Sequence, residues 1–363
     1  MKLERLTLDN FRSYTKQVFH FGQHTVIVAP NASGKTNILE AIYLLSTGVS
    51  ERASETSEMI RFGQDLASVY GVVENNDPTS PTASLGAGHY TELSVVLTPG
   101  VYMGKATSKR RYLMDGVVRS RAKFVGVLPS IMFRPEDMRL VEGSPTRRRA
   151  FLDATLSMVH QDYERALAVY EASLRRRNKL LDGIREGVVK REQLAYWDQS
   201  IIKNGNILSD YRRALLEYLS QVKTSFGEYQ LEYDASTISP SRLKQYEEAE
   251  VAVGYTLVGP HKDDFVIRSQ TPDARLQNGR DLMVYGSRGE QRLAVLFLKL
   301  GTLQYIEEKM EVKPILLLDD IFSELDEKHR IEVVKMTEGR QTIITSTEED
   351  VVGMVTGAEI VRL

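Results

Sequence analysis

One stretch, residues 25–45 with the sequence TVIVAPNASGKTNILEAIYLL, constrains this chain more than any other. Thr25, Val26, Ile27 and Val28 form a short apolar, β-branched run, the pattern of a buried strand. Pro30 and small residues then break it. From Gly34 onward, Ile38, Leu39, Ile42 and Leu45 recur at helical spacing. Strand, tight loop and helix make the setting of a phosphate-binding loop, where free backbone N–H groups and the positive end of the helix dipole converge on an anion. Lys35 stands in reach of the β- and γ-phosphates of ATP, and the Thr36 hydroxyl is placed to hold Mg2+. Ala29, Pro30, Asn31, Ala32, Ser33, Gly34 and Asn37 complete the expected nucleotide contacts. The usual pattern is G-x-x-x-x-G-K-[ST], and Ala29 takes the place of its first glycine. An alanine there carries a strain cost if the position needs positive φ.

Two later stretches carry compatible chemistry. Ile315, Leu316, Leu317 and Leu318 read as a buried strand that ends in Asp319 and Asp320. Asp319 can hold Mg2+ through water, and Asp320 can act as general base or orient the attacking water. Successive side chains on a strand point opposite ways, so both face one site only if the strand end bends. In residues 287–292, SRGEQR, Ser287 and Gly289 precede a helix running to about Met310. They offer a hydroxyl and backbone donors to an anion, although Ser and Gly are also common at ordinary helix starts.

At 363 residues, the chain is expected to form two domains. The absence of cysteine excludes disulfides and cysteine-based zinc sites. No apolar run reaches ~18 residues, so no membrane span is expected. The start, MKLERLTLDNF, alternates like a strand and lacks a signal-peptide core, which predicts a cytoplasmic protein. A net charge of −2 gives no whole-chain support for nucleic-acid binding. Any such binding falls to local cations: Lys109, Arg110, Arg111, Arg119, Arg121, Lys123, the run from Arg147 to Arg149, and Arg175, Arg176 and Arg177. Each of these clusters also reads as a solvated face or an internal ion pair. His261 has no metal-ligand spacing around it and reads as part of a contact loop.

In chain order, Leu3, Leu6 and Leu8 open a strand that turns at residues 11–14. Residues 50–65 are polar and read as a mobile connection. Residues 66–73, 93–97 and 109–113 read as strands of an antiparallel sheet, with a Pro/Gly/Ser-rich surface loop at residues 76–88. Residues 127–133 form a further apolar strand running into Arg134, Pro135, Glu136 and Asp137. Tyr163, Leu167, Tyr170, Leu174, Arg177, Leu181 and Ile184 alternate spacings of four and three. Leu194, Trp197, Ile201, Asn204, Leu208, Tyr211, Leu215, Tyr218 and Val222 alternate three and four. Two such helices with a glycine-containing break between them predict an antiparallel hairpin. Residues 236–250 are polar, and strands at 315–318, 342–346 and 360–361 close the chain.

As a set, these motifs resemble the ABC-type ATPases of the RecF/RecN/SMC branch. LLLDDIFSELD (residues 316–326) resembles their Walker B and D-loop, and SRGEQR their signature. LDNFRSY (8–14), GSPTRRRAFLD (143–153) and LVGPHKDD (257–264) resemble stretches of the DNA-repair members. The resemblance implies an α/β fold with an ABC-type P-loop ATPase head, formed by residues 1–140 and 245–363. A flanking antiparallel sheet belongs to that head, and residues 141–244 form an inserted helical lobe containing a short antiparallel hairpin. Arg12 joins the nucleotide contacts by the same resemblance. Two heads are implied to dimerise with ATP between them, Lys35 of one copy facing Ser287 of the other. Implied partners are double-stranded DNA, single/double-strand junctions at gaps, and RecR, with RecO and RecA loading downstream. The chain departs from the branch at Ala29 and Ala32, where glycine is usual, and at residues 345–347, where Thr-Ser-Thr replaces the switch histidine. The implied ATPase activity is therefore weak. An SMC-like DNA tether and an ABC transporter subunit share the same ATPase motifs.

Overall fold

The computed structural model describes residues 1–75, 89–270 and 279–363; the loop expected at residues 76–88 lies outside them. The chain forms two compact units, Met1–Asp137 with Ile306–Leu363, and Met138–Tyr305. Residues 245–305, grouped with the head in the sequence reading, fall within the second unit.

The first unit holds the expected α/β core. Five strands form a parallel sheet in the order Ser130–Phe133, Ile315–Asp319, Thr342–Ser346, His24–Val28 and Glu359–Arg362. Ile315–Asp319 and Thr342–Ser346 are buried at every position, which is why they read as unbroken apolar runs and not as alternating ones. Six antiparallel strands form the second sheet, in the order Tyr14–His20, Lys2–Phe11, Ala67–Asn75, His89–Leu97, Arg110–Met114 and Val117–Arg119. The helix Lys35–Thr47 is buried from Ile38 to Thr47. It is the centre of a core that takes Leu3, Leu6 and Leu8 from one sheet and Leu317 and Ile343 from the other.

The connection at residues 50–65 is docked. Thr56–Met59 makes a turn of 3-10 helix, and Met59 and Ile60 are buried. The Arg12 N–H donates to the Met59 carbonyl at 2.8 Å, and Arg61 N–H to the Asn10 carbonyl at 2.7 Å. Backbone pairing of this kind leaves no pattern in the side chains. The strand expected at residues 127–133 is confined to Ser130–Phe133.

The second unit is mainly helical. Gln161–Arg185 and Ala195–Gln221 form the predicted hairpin beside Pro145–Val159 and Pro240–Val253, with a small antiparallel sheet of Tyr229–Asp234, Asp264–Ser269 and Arg280–Asp281. Its core is partly ionic. Arg177 is 2% exposed and pairs with Asp198 at 2.7 Å and Glu250 at 2.8 Å. Arg212, also buried, pairs with Asp153 at 2.7 Å and Asp263 at 3.0 Å. Arg148 grips Asp264 with two hydrogen bonds of 2.6 and 2.9 Å, and Arg149 donates to the Asp263 carbonyl at 2.7 Å. Residues 143–153 and 257–264, two of the stretches that carry the family resemblance, therefore meet in one buried network. His261 belongs to the same network. Its Nε2 lies 3.0 Å from the Thr256 carbonyl and its Nδ1 2.7 Å from the Tyr170 hydroxyl. A carbonyl only accepts, so Nε2 carries the proton and Nδ1 accepts from Tyr170. Among the described residues, no helix is long and apolar enough to cross a membrane.

Candidate functional site

The loop after His24–Val28 and the end of Ile315–Asp319 open into one cleft of about 430 Å³ in the first unit. Asn31, Ala32, Ser33, Gly34, Lys35, Thr36, Asn37, Asp319 and Asp320 line it, together with Ser13, Arg52, Pro135 and Glu136. Parallel strands place their C-terminal ends at one edge of the sheet, which is where such a crevice forms. Gly34 caps the helix Lys35–Thr47 with φ 103°. A Cβ at Gly34 would stand 2.9 Å from the Tyr14 hydroxyl oxygen and 3.0 Å from Ser13 Oγ. No side chain therefore fits there, on two independent grounds. Burial against this loop pushes the Tyr14 phenol up to about 12.

The expected strain at Ala29 is not found. Ala29 is outside the positive-φ residues, and Ala32 takes that conformation at φ 64°. Positive φ at residues 32 and 34 belongs to the looped backbone that cradles anions. Ala29 is buried and anchored, its N–H donating to the Ser346 carbonyl at 3.2 Å. The Lys35 ammonium, itself buried, donates to the Ala29 carbonyl. Ala29 and Pro30 thus support the loop without lining the cleft.

Hydroxyls hold the Asp319 carboxylate and the Asp320 backbone. Asp319 Oδ1 accepts from Thr345 Oγ1 at 2.6 Å and from Thr36 Oγ1 at 3.1 Å. Burial is the main influence on Asp319 and raises its pKa, against the pull of these two hydroxyls. Asp320 has φ 51°, and its N–H donates to Thr345 at 3.1 Å. This bend is what brings successive carboxylates to one cleft. The Thr-Ser-Thr strand end therefore fixes the acidic pair through Thr345, at the place where the switch histidine was missed.

Arg12 is turned elsewhere. Its guanidinium makes two hydrogen bonds to buried Glu40, at 3.0 and 2.6 Å, and one to the Glu58 carbonyl at 2.7 Å; it does not line the cleft. Arg52 does, and sequence reading missed it because it lies in the polar connection. Its Nη1 reaches Asn37 Oδ1 at 2.9 Å and Glu40 at 3.1 Å, and its side chain stays 40% exposed. Asn37 donates in turn to Ser13 Oγ at 3.0 Å. Glu136, beside the buried ion-paired Arg134, brings a third carboxylate to the rim.

Ser287 and Gly289 belong to the second unit. Ser287 caps the helix Arg288–Met310 in a reciprocal arrangement: its N–H and Oγ each lie 2.8 Å from Glu290 Oε2, and the Glu290 N–H donates back to Ser287 Oγ at 3.3 Å. Among the described residues, a Cβ at exposed Gly289 would meet nothing within 4 Å, so none of them requires glycine there.

The basic candidates divide. Arg111, Arg119, Lys123, Arg175 and Arg176 are exposed, and Lys109 pairs at the surface with Glu55 at 2.8 Å. Arg110 and Arg121 turn inward. They donate to the Gly48 carbonyl at 3.3 Å and the Thr47 carbonyl at 2.9 Å, at the C-terminal end of Lys35–Thr47.

Comparison with known proteins agrees with this geometry. The RecF/RecN/SMC N terminal domain model matches residues 2–362. The DNA replication and repair protein RecF of Thermoanaerobacter sp. is 33% identical, covering 96% of this chain and 94% of its own length. That of Bacillus subtilis is 32% identical with the same coverage. A structure of the recombination mediator protein RecF with ATP, in the RecFOR pathway, superposes with a TM-score of 0.82 at 30% identity, over 96% of this chain and 92% of that one. The Smc head domain of Pyrococcus furiosus, at 18% identity and a TM-score of 0.52, covers 99% of this chain and 92% of its own and shares the fold. On the full-length match and these identities, the chain belongs to the RecF family of DNA replication and repair proteins.

Proposed function

We propose that the chain is an ATP-binding recombination mediator that dimerises around nucleotide, holds double-stranded or gapped DNA, and works with RecR, RecO and RecA. The observation that carries this reading is the convergence of Lys35 and Thr36 with Asp319 and Asp320 in a single cleft, although 283 residues separate Thr36 from Asp319. The ATP-bound RecF structure, 30% identical, supports the class of nucleotide.

In this reading the loop of residues 31–37 receives the phosphates, and Lys35 exchanges its Ala29 contact for them. Arg52 adds a second cation at the rim. Asp319 fits a divalent cation: it is a 5% exposed carboxylate whose burial is met chiefly by two hydroxyls. Thr36 Oγ1 and Asp319 would hold Mg2+, which would neutralise phosphate charge. Asp320 orients the water for slow hydrolysis. Ser287 and the open Gly289 supply the half-site offered to a second copy, since two half-built cradles close only when nucleotide bridges them. Lys109, Arg111, Arg119, Lys123, Arg175 and Arg176 are the DNA-facing cations, and Arg110 and Arg121 serve the C-terminal end of Lys35–Thr47 instead. The protein works in the cytoplasm.

The test is mass in solution with and without ATP, repeated with duplex and gapped DNA. A shift from monomer to dimer on ATP, lost in Lys35→Ala, is expected. Unchanged mass together with ATP-independent DNA affinity would overturn the reading.

A further inference from the structure

The hairpin formed by His89–Leu97 and Arg110–Met114 does not stop at the sheet. Its ladder continues through Thr98 N–H to the Lys109 carbonyl at 3.0 Å and Thr107 N–H to the Gly100 carbonyl at 3.0 Å. It ends in the ribbon Val101–Tyr102 and Lys105–Ala106. Beyond Leu97 this finger reaches on the order of 17 Å, at ~3.3 Å per residue. Every residue from 101 to 106 is exposed. Its tip is the turn Met103–Gly104, with φ 48° and 74°. Met103 is 84% exposed, Val101 55% and Tyr102 38%.

The neighbouring hairpin provides an internal control. Its turn, Asp115–Gly116, has φ 49° and 74°, the same backbone. Asp-Gly is what a two-residue turn with both φ positive favours. At the finger's tip that position holds methionine, an unbranched apolar side chain in a conformation that costs about 1 kcal/mol or more outside Gly, Asn and Asp. Methionine is therefore disfavoured twice, by its backbone and by its 84% exposure to water. Charge identifies the occupant. Between Val101 and Lys123 the chain carries seven Lys or Arg and a single acidic residue, Asp115, within a protein of net charge −2; Arg110 and Arg121 turn inward and Lys109 pairs with Glu55, which leaves Lys105, Arg111, Arg119 and Lys123 exposed.

We infer that the finger of residues 98–109 is a wedge for duplex DNA: Tyr102 and Met103 enter the minor groove and part a base step, while Lys105, Arg111, Arg119 and Lys123 hold the flanking phosphates. Apolar side chains used in this way unstack a step and kink the duplex, and the cations add a salt-dependent term. The inference rests on the DNA-binding reading above and extends it by naming the element that deforms the DNA.

The test uses the full chain and a short duplex with 2-aminopurine at a central step, read by fluorescence and by titration at several salt concentrations. Met103→Asn keeps a residue that tolerates positive φ, so its thermal midpoint should hold or rise. The wild type should brighten the probe on binding. In Met103→Asn the brightening should be lost and affinity should fall about tenfold, with the salt slope unchanged. Arg111→Ala should lower the salt slope by about one and leave the brightening intact. If the wild type shows no duplex binding, the DNA-binding reading itself fails. Tight, salt-dependent binding by the wild type with equal brightening in Met103→Asn would sink the wedge alone. Unaltered DNA behaviour in Met103→Asn with loss of binding to purified RecR would reassign the finger to a protein partner and overturn the proposal.

Discussion

His261 shows how far one side chain can tie stability to pH. Its ring is locked between the Tyr170 hydroxyl and the Thr256 carbonyl. Burial, the largest influence, pulls its pKa down to about 4, while the Thr256 carbonyl opposes that shift. A group depressed in the folded state contributes its full stability above its unfolded pKa of about 6.5. That contribution is lost as pH falls from there toward 4. The window is worth up to roughly 3 kcal/mol. Urea midpoints measured from pH 7 to pH 4 should therefore fall more steeply for the wild type than for His261→Gln, whose absolute stability is lower because Tyr170 loses its acceptor. Parallel profiles would remove His261 from this role. His24, also depressed by burial, contributes equally to both proteins and cancels in the comparison.

The helix Lys35–Thr47 is gripped at both ends, and the two grips were unequally legible. Its N-terminus was readable because glycine, lysine and threonine at fixed spacing follow a β-branched run. Its C-terminus was not. The Thr47 and Gly48 carbonyls accept from Arg121, Arg110 and the Tyr112 hydroxyl, the last at 2.9 Å, and nothing in the sequence separates these arginines from Arg111 and Arg119. Cations at a helix C-terminus contribute ~0.3–1 kcal/mol when exposed and up to ~2 kcal/mol when partly buried. Arg121→Gln should accordingly lower unfolding stability by about 1 kcal/mol and leave the salt slope of DNA binding unchanged. A changed slope at unchanged stability would make Arg121 a DNA contact after all. The hairpin stripe was half legible for a related reason. Ile201, Leu208 and Leu215 are buried as expected, but Asn204, Tyr211 and Tyr218 are only half-buried, and Gly205, Arg212 and Leu219 take the second line of the seam. That face packs against Tyr170, Ile238 and Pro260, so its buried positions include a glycine and an ion-paired arginine, which no apolar count detects. Pro240–Val253 is not legible in the sequence because it buries little beyond Leu243 and Glu250. Its start signals, Ser239 capping at 3.2 Å and proline at the first turn, were present but had no apolar stripe behind them.

At the scale of the molecule, what each unit holds at its centre predicts where it is fragile. The first centres on a cluster of buried aliphatic and aromatic side chains, in which losing one methylene group costs about 1 kcal/mol. The second spans its helices with Arg148, Arg177 and Arg212, each buried and each paired with carboxylates. Such pairs contribute little net stability once desolvation is counted, but removing one partner strands the other, at a cost of about 3–5 kcal/mol. Arg177 is a clear case, because its partner Glu250 is 0% exposed. Arg177→Met should therefore destabilise the second unit by roughly that amount, and Arg177→Met with Glu250→Gln should recover part of it, since no buried charge is then stranded. Arg175→Ala, exposed on the same helix, should change stability by less than about 0.5 kcal/mol. The measurement isolates the unit concerned: Trp197, the sole tryptophan of the chain, lies in the second unit and stacks edge-on with Tyr196 at 5.0 Å. Its fluorescence during urea unfolding follows that unit. If Arg177→Met unfolds within about 1 kcal/mol of the wild type, water or a neighbouring group compensates Glu250. The ionic network would then be a register device for the hairpin and not the element on which its stability depends.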